Sequence, residues 1–157
     1  MRNNTLEKTM QTVLTADEKE TELVGRKLGE KLRGGEVIAL DGDLGAGKTI
    51  FTKGIAQGLG ISAQILSPTF NIVREYAGRL KLYHFDFYRL SEAEELREIG
   101  FAEYLQPDAV VVIEWAELFP EVLPQQRISV HISYQKENET GRELLLCGEE
   151  TFLENNL

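Results

Sequence analysis

The octapeptide GDLGAGKT at residues 42–49 constrains this chain more than any other stretch, because it joins two segments of different periodicity. Gly42, Gly47, Lys48 and Thr49 fill the pattern G-x-x-x-x-G-K-[ST]. EVIALDG before it predicts a strand, and KTIFTKGIAQGLG after it places Phe51, Ile55 and Leu59 four apart, which predicts a helix stopped by Gly60. Strand, glycine loop and helix in that order are the context in which the pattern carries chemistry. Glycine permits positive φ and close backbone approach, so the N–H groups running through Asp43, Leu44, Gly45 and Ala46 can surround phosphate oxygens. The helix start adds about half a positive charge. Lys48 is expected to reach the β and γ phosphates of a nucleotide, and the Thr49 hydroxyl to supply one ligand of Mg²⁺. The Asp43 side chain is expected to point outward. A glycine turn with an incidental lysine is the competing reading, and the flanking strand and helix argue against it.

Magnesium at such a loop needs a carboxylate, commonly at the end of a neighbouring apolar strand, to complete its oxygen coordination. Two residues qualify. Glu114 ends VVVI, inside the run AVVVIEW, whose unbroken apolar character predicts a parallel strand buried on both faces. Asp86 lies in LKLYHFDFYRL, residues 80–90, an aromatic strand in which alternation puts His84, Asp86 and Tyr88 on one face and Tyr83, Phe85 and Phe87 on the other. The ordinary alternative for either acid is a solvated residue at a strand end. Ser67-Pro68-Thr69 falls where a P-loop protein often senses the γ-phosphate through a hydroxyl, and a plain proline turn serves the same residues equally well.

The remaining elements read more simply. Residues 6–14 predict an edge strand, and Thr15 with Glu18 forms a candidate capping box for a helix reaching Leu32, with Leu23, Leu28 and Leu32 inside and Gly34-Gly35 as its stop. NIVREYA and the aromatic strand flank Gly78-Arg79, predicting an antiparallel hairpin over residues 71–89. Ser91 and Glu94 suggest a second capping box, opening an acidic helix that Gly100 interrupts. RISVHISY and RELLLCGE predict a closing hairpin, and residues 1–5 and 150–157 are expected to fray. The fold class expected is therefore α/β: a single P-loop NTPase-like domain over residues 1–157, with a mixed central sheet flanked by helices.

A length of 157 residues is enough for one real core. The net charge of −9 opposes direct, tight capture of nucleic acid, since that depends on cationic neutralisation of phosphates. Cys147 is the only cysteine, which excludes an intramolecular disulfide and a Cys-rich zinc site and suits a reducing cytoplasm; a buried thiol is expected. No apolar run approaches a membrane span and the first residues lack a signal-like apolar core, so a soluble cytoplasmic protein is expected.

Among nucleotide enzymes a GTPase is disfavoured, because N-K-x-D and D-x-x-G are missing. A small-molecule kinase is the rival, since GDLGAGKT also fits G-x-x-G-x-G-K-[ST]. Kinases of that kind use a cationic lid, whereas Arg74, Arg79, Arg89 and Arg97 are scattered over the hairpin and the acidic helix. The order GDLGAGKT, SPTF, YHFDFYRL with its H-x-D-x-Y-R core, and IEW resembles the bacterial TsaE family, from about Thr15 to Tyr134.

That resemblance implies a small ATPase of tRNA threonylcarbamoyladenosine synthesis. It implies ATP and Mg²⁺ as ligands, weak intrinsic hydrolysis, and work with TsaB and TsaD, in which ATP turnover resets the assembly that modifies the adenosine beside the anticodon. By motif position it assigns the phosphates to Gly42, Asp43, Leu44, Gly45, Ala46, Gly47, Lys48 and Thr49, and Mg²⁺ to Thr49 and Glu114. It makes Asp86 an acid needed for activity, Thr69 the switch residue, and Trp115 an active-site or interface aromatic. The roles of Asp86 and Glu114 remain exchangeable at this stage.

Overall fold

A computed structural model describes residues 8–68 and 71–149; the expected fraying at both ends and the switch residue Thr69 lie outside them. Seven strands form one sheet among the described residues: β1 (Lys8–Thr15), β2 (Val37–Gly42), β3 (Val73–Ala77), β4 (Lys81–Asp86), β5 (Ala109–Glu114), β6 (Ile128–Tyr134) and β7 (Arg142–Glu149). Their order is β1-β7-β6-β2-β5-β4-β3. The inner four, β6, β2, β5 and β4, run parallel, while β3 and the β7-β1 pair are antiparallel additions at the edges. The mixed α/β sheet, the 71–89 hairpin and the closing hairpin are as the sequence predicts. β5 is buried at all six positions, as an apolar run between two parallel neighbours requires.

Helices α1 (Glu18–Lys31) and α2 (Lys48–Gly58) cover one face. Phe51, Ile55 and Leu59 are fully buried, matching the predicted stripe. The two helices meet through glycine. A Cβ added at Gly25 would stand 2.3 Å from the Phe51 carbonyl oxygen, one at Gly29 2.4 Å from that of Ile55, and one at Gly54 2.0 Å from that of Glu22. The other face is covered by α3 (Glu94–Glu98), the 3-10 turn at Phe101–Tyr104 and an aromatic cluster of Tyr83, Phe85, Phe87, Phe101 and Tyr104.

Several local expectations are corrected. Asp17, not Thr15, caps α1: its carboxylate accepts from the Glu20 N–H at 2.9 Å, and Glu20 reaches back to the Ala16 N–H. Thr15 stays in β1 opposite Arg142, its hydroxyl bonded at 2.7 Å to that of Thr21, because strand pairing outlasts the local capping signal. Leu23 is exposed and Val24, one residue further round the helix, faces inward in its place, while Leu28 and Leu32 are buried as expected. At α3 the capping acid is Glu95, which accepts from the N–H groups of Ser91 and Glu92, and the helix lasts a single turn before Gly100 at φ 74°. β4 ends at Asp86 rather than running to residue 90, since Leu90 turns back to bond Phe87. The Cys147 thiol is half-buried rather than buried. Arg79, read as one of several scattered arginines, donates to the carbonyls of Leu32 (2.7 Å) and Gly29 (2.6 Å), tying the hairpin tip to the end of α1.

Candidate nucleotide site

Parallel pairing carries the ends of β2, β5 and β4 to one edge of the sheet. Leu40 stands opposite Glu114, and Glu114 opposite Asp86. The loop leaves β2 at Gly42 with φ 143°, where a Cβ would come 2.3 Å from the Ile132 carbonyl oxygen. It enters α2 at Gly47 with φ 113°, so both terminal glycines hold backbone that an L side chain would strain. Gly47 offers no side-chain cap, and the first N–H groups of α2 therefore keep their donors for a ligand. Asp43, Leu44 and Gly45 are exposed, in line with an outward Asp43.

Two residues with no recognisable sequence signal grip this loop from behind. The Tyr134 hydroxyl donates to the Leu44 carbonyl at 3.0 Å, and Arg142 Nε donates to that of Ala46 at 2.8 Å. The guanidinium also lies 4.4 Å from the Tyr134 ring centroid, and the two residues are paired across the closing hairpin. Only the register of that hairpin discloses them.

Lys48 is buried and donates from Nζ to the carbonyls of Gly42 (2.7 Å) and Asp43 (2.9 Å), with the Trp115 ring centroid 4.0 Å away. Burial pushes its pKa below the usual lysine value, against the opposing pull of Glu114, Glu117, Asp43 and Asp86. Thr49 Oγ1 donates to Glu114 Oε1 at 3.0 Å, and Glu114 Oε2 is paired with His84 Nε2. Asp86 lies beside them, almost wholly buried; its Oδ1 accepts from the Tyr88 N–H at 2.9 Å and its own N–H donates to the Ile72 carbonyl at 2.9 Å. The face bearing His84 and Asp86 is thus interior, the same one that α2 packs against, while Tyr88 lies past the strand end and its exposed ring stacks 4.8 Å from Trp115.

Apart from three threonines, the buried polar residues among those described are Lys48, His84, Asp86 and Glu114. Burial of charge is costly unless groups are paired, so their convergence at one strand edge marks a site. Among the described residues two non-glycine backbones are in the left-handed region, Ile72 and Trp115, and both border it.

Hydroxyl and carboxylate oxygens are the donors that hard cations prefer. No group of three or more His, Cys, Asp or Glu forms a metal cage among the described residues. One or two carboxylates beside a phosphate cradle suit Mg²⁺, which binds largely through phosphates and water. Thr49, Glu114 and the uncapped helix therefore fit a magnesium nucleotide.

Residues 15–144 match the family model described as threonylcarbamoyl adenosine biosynthesis protein TsaE. This chain belongs to the TsaE family. The match runs beyond the Tyr134 expected from motifs and takes in Arg142, the loop brace. A Bacillus subtilis (strain 168) protein named tRNA threonylcarbamoyladenosine biosynthesis protein TsaE is 43% identical over 126 residues, covering 80% of this chain and 78% of its own. One of the same name from Nostoc sp. is 40% identical over 140 residues, covering 86% and 85%. The crystal structure of Bacillus subtilis YdiB superposes with a TM-score of 0.80 at 35% identity, over 94% of each chain. No helix among the described residues is long and apolar enough to cross a membrane.

Proposed function

We propose that this TsaE-family chain binds ATP with Mg²⁺ at residues 42–49 and hydrolyses it weakly on its own. In this reading it serves TsaB and TsaD in forming threonylcarbamoyladenosine next to the anticodon of tRNA. The observation that carries the reading is the Thr49–Glu114 contact at the mouth of an uncapped P-loop helix, in a chain whose relatives are named for that pathway.

The loop N–H groups and the start of α2 hold the phosphates. Lys48 exchanges the carbonyls of Gly42 and Asp43 for β and γ oxygens, which return a counter-charge to a desolvated ammonium. Thr49 and Glu114 hold Mg²⁺, which when bound neutralises charge on the β and γ phosphates. Asp86, fixed by its bond from Tyr88, orders the attacking water. Thr69 reports the γ-phosphate through its hydroxyl, and Trp115 closes the cleft over Lys48. With a net charge of −9 the chain leaves tRNA to its partners and acts as their nucleotide-driven reset in the cytoplasm.

The test is the ATPase rate with and without purified TsaB and TsaD, together with threonylcarbamoyladenosine in bulk tRNA after deletion of the gene. Stimulation by the partners and loss of the modification are expected. ADP release stimulated by a metabolite instead, with the modification intact, would favour a small-molecule kinase, the reading that the tight G-x-x-G-x-G-K-T loop keeps open.

A further inference from the structure

His84 is fully inaccessible to solvent in β4. A buried imidazole needs a hydrogen-bond partner, and this one spends its single bond on Glu114: Nε2 meets Oε2, while Nδ1 is buried without a partner among the described residues. His84 stands opposite Val112 and Asp86 opposite Glu114, so the histidine is the diagonal neighbour of Glu114 on one face of the sheet. The other carboxylate oxygen accepts from Thr49. Glu114 is thus gripped at both oxygens, by α2 on one side and by β4 on the other.

The bonding pattern also selects a tautomer. A carboxylate only accepts, so the proton that bonds it belongs on Nε2. Through that donor the ring fixes the orientation of the carboxylate.

We propose that His84 is a positioning residue, whose Nε2–H holds Glu114 in the orientation that presents it with Thr49 to the metal of a bound nucleotide. The proposal rests on the Mg²⁺-nucleotide reading of the site. Its test is calorimetric titration of ADP in Mg²⁺ and in EDTA, for the wild type, His84→Leu and His84→Gln, each first shown to be folded by thermal unfolding. The ratio of affinities with and without Mg²⁺ is expected to fall about tenfold in His84→Leu, with EDTA affinity unchanged, and to recover in His84→Gln, whose amide N–H replaces the lost donor. A folded His84→Leu with the wild-type ratio, or one losing affinity equally in EDTA, overturns the proposal and leaves the nucleotide site standing. A wild type that gains nothing from Mg²⁺ overturns both.

Should His84→Leu not fold, the unmodified protein decides by nitrogen-15 histidine NMR. The chain has two histidines, and His131→Gln identifies which signals are His84. An Nε2–H tautomer whose proton resonance moves when Mg²⁺ is added to the ADP complex is expected. The opposite tautomer, or an unresponsive signal, overturns the proposal.

Discussion

The two faces of the sheet are packed on different principles. On the α1–α2 face the limiting contacts are backbone on backbone, since Gly25, Gly29 and Gly54 let each helix approach the carbonyls of the other to distances no side chain tolerates. On the opposite face the contacts are ring edges on ring faces: Phe85 lies 5.1 Å from both Phe101 and Tyr104, and Tyr83 4.8 Å from Tyr104, all nearly perpendicular. Backbone contact has almost no soft coordinate, whereas rings can tilt and refill space. His84, Asp86 and Glu114 all project from the stiff face, against the helix that carries Lys48 and Thr49. The difference teaches where precision is needed: these groups meet on or against α2, the helix whose position α1 locks through glycine.

Substitutions at each face break or sharpen that contrast. Gly54→Leu is expected to have the largest effect, a loss above about 4 kcal/mol, because the added Cβ would lie 2.0 Å from the Glu22 carbonyl oxygen and only separation of the helices relieves it. Urea unfolding measures this, and a variant with near-native stability would show the stiff face to be soft. Phe85→Ala on the other face should cost less, about 3 kcal/mol, the low end for such truncations, as Phe87, Phe101 and Tyr104 tilt into the gap. It should leave nucleotide affinity nearly unchanged when measured by calorimetry. A larger loss of affinity than of stability would mean that the site depends on both faces.

Lys48→Ala comes next. It is expected to weaken nucleotide binding by about tenfold to a hundredfold, the worth of a charge-assisted phosphate contact, without lowering the melting temperature, because a desolvated cation has been removed. Calorimetry beside a thermal melt separates these effects. The smallest change expected is for Arg79→Ala, about 1 kcal/mol, from loss of the two bonds that tie the hairpin to α1. Hydrogen exchange should then rise at the C-terminal end of α1 and not in the aromatic cluster.

Legibility in the sequence followed the range of each interaction. The P-loop, the β5 run and the α2 stripe were readable because each is a local pattern whose physical cause lies within a few residues. The alternation of β4 likewise put His84 and Asp86 on a common face. Boundaries failed where distant pairing competed with local signals: Thr15 looked like a cap and became the last residue of a strand paired with Arg142. The Gly25-Gly29 and Gly54-Gly58 pairs carry no local signal of their role, since nothing within either helix reveals the carbonyl facing it. Tyr134 and Arg142 stood in an unremarkable hairpin until register aimed them at the loop.

By itself, then, the sequence determined the chemistry available: a glycine loop able to surround phosphates, an apolar strand ending in an acid, an aromatic strand with a carboxylate in it, and a motif order that points to one family. Tertiary structure decided which acid meets which hydroxyl. Parallel pairing of β4 with β5 set Asp86 opposite Glu114, while close approach of α2 brought Thr49 to Glu114 and the strand pleat brought His84 to the other oxygen of the same carboxylate. Local composition cannot encode such a choice, because hydrogen bonds join these residues across 65 and 30 positions of chain and exist only once the sheet has closed.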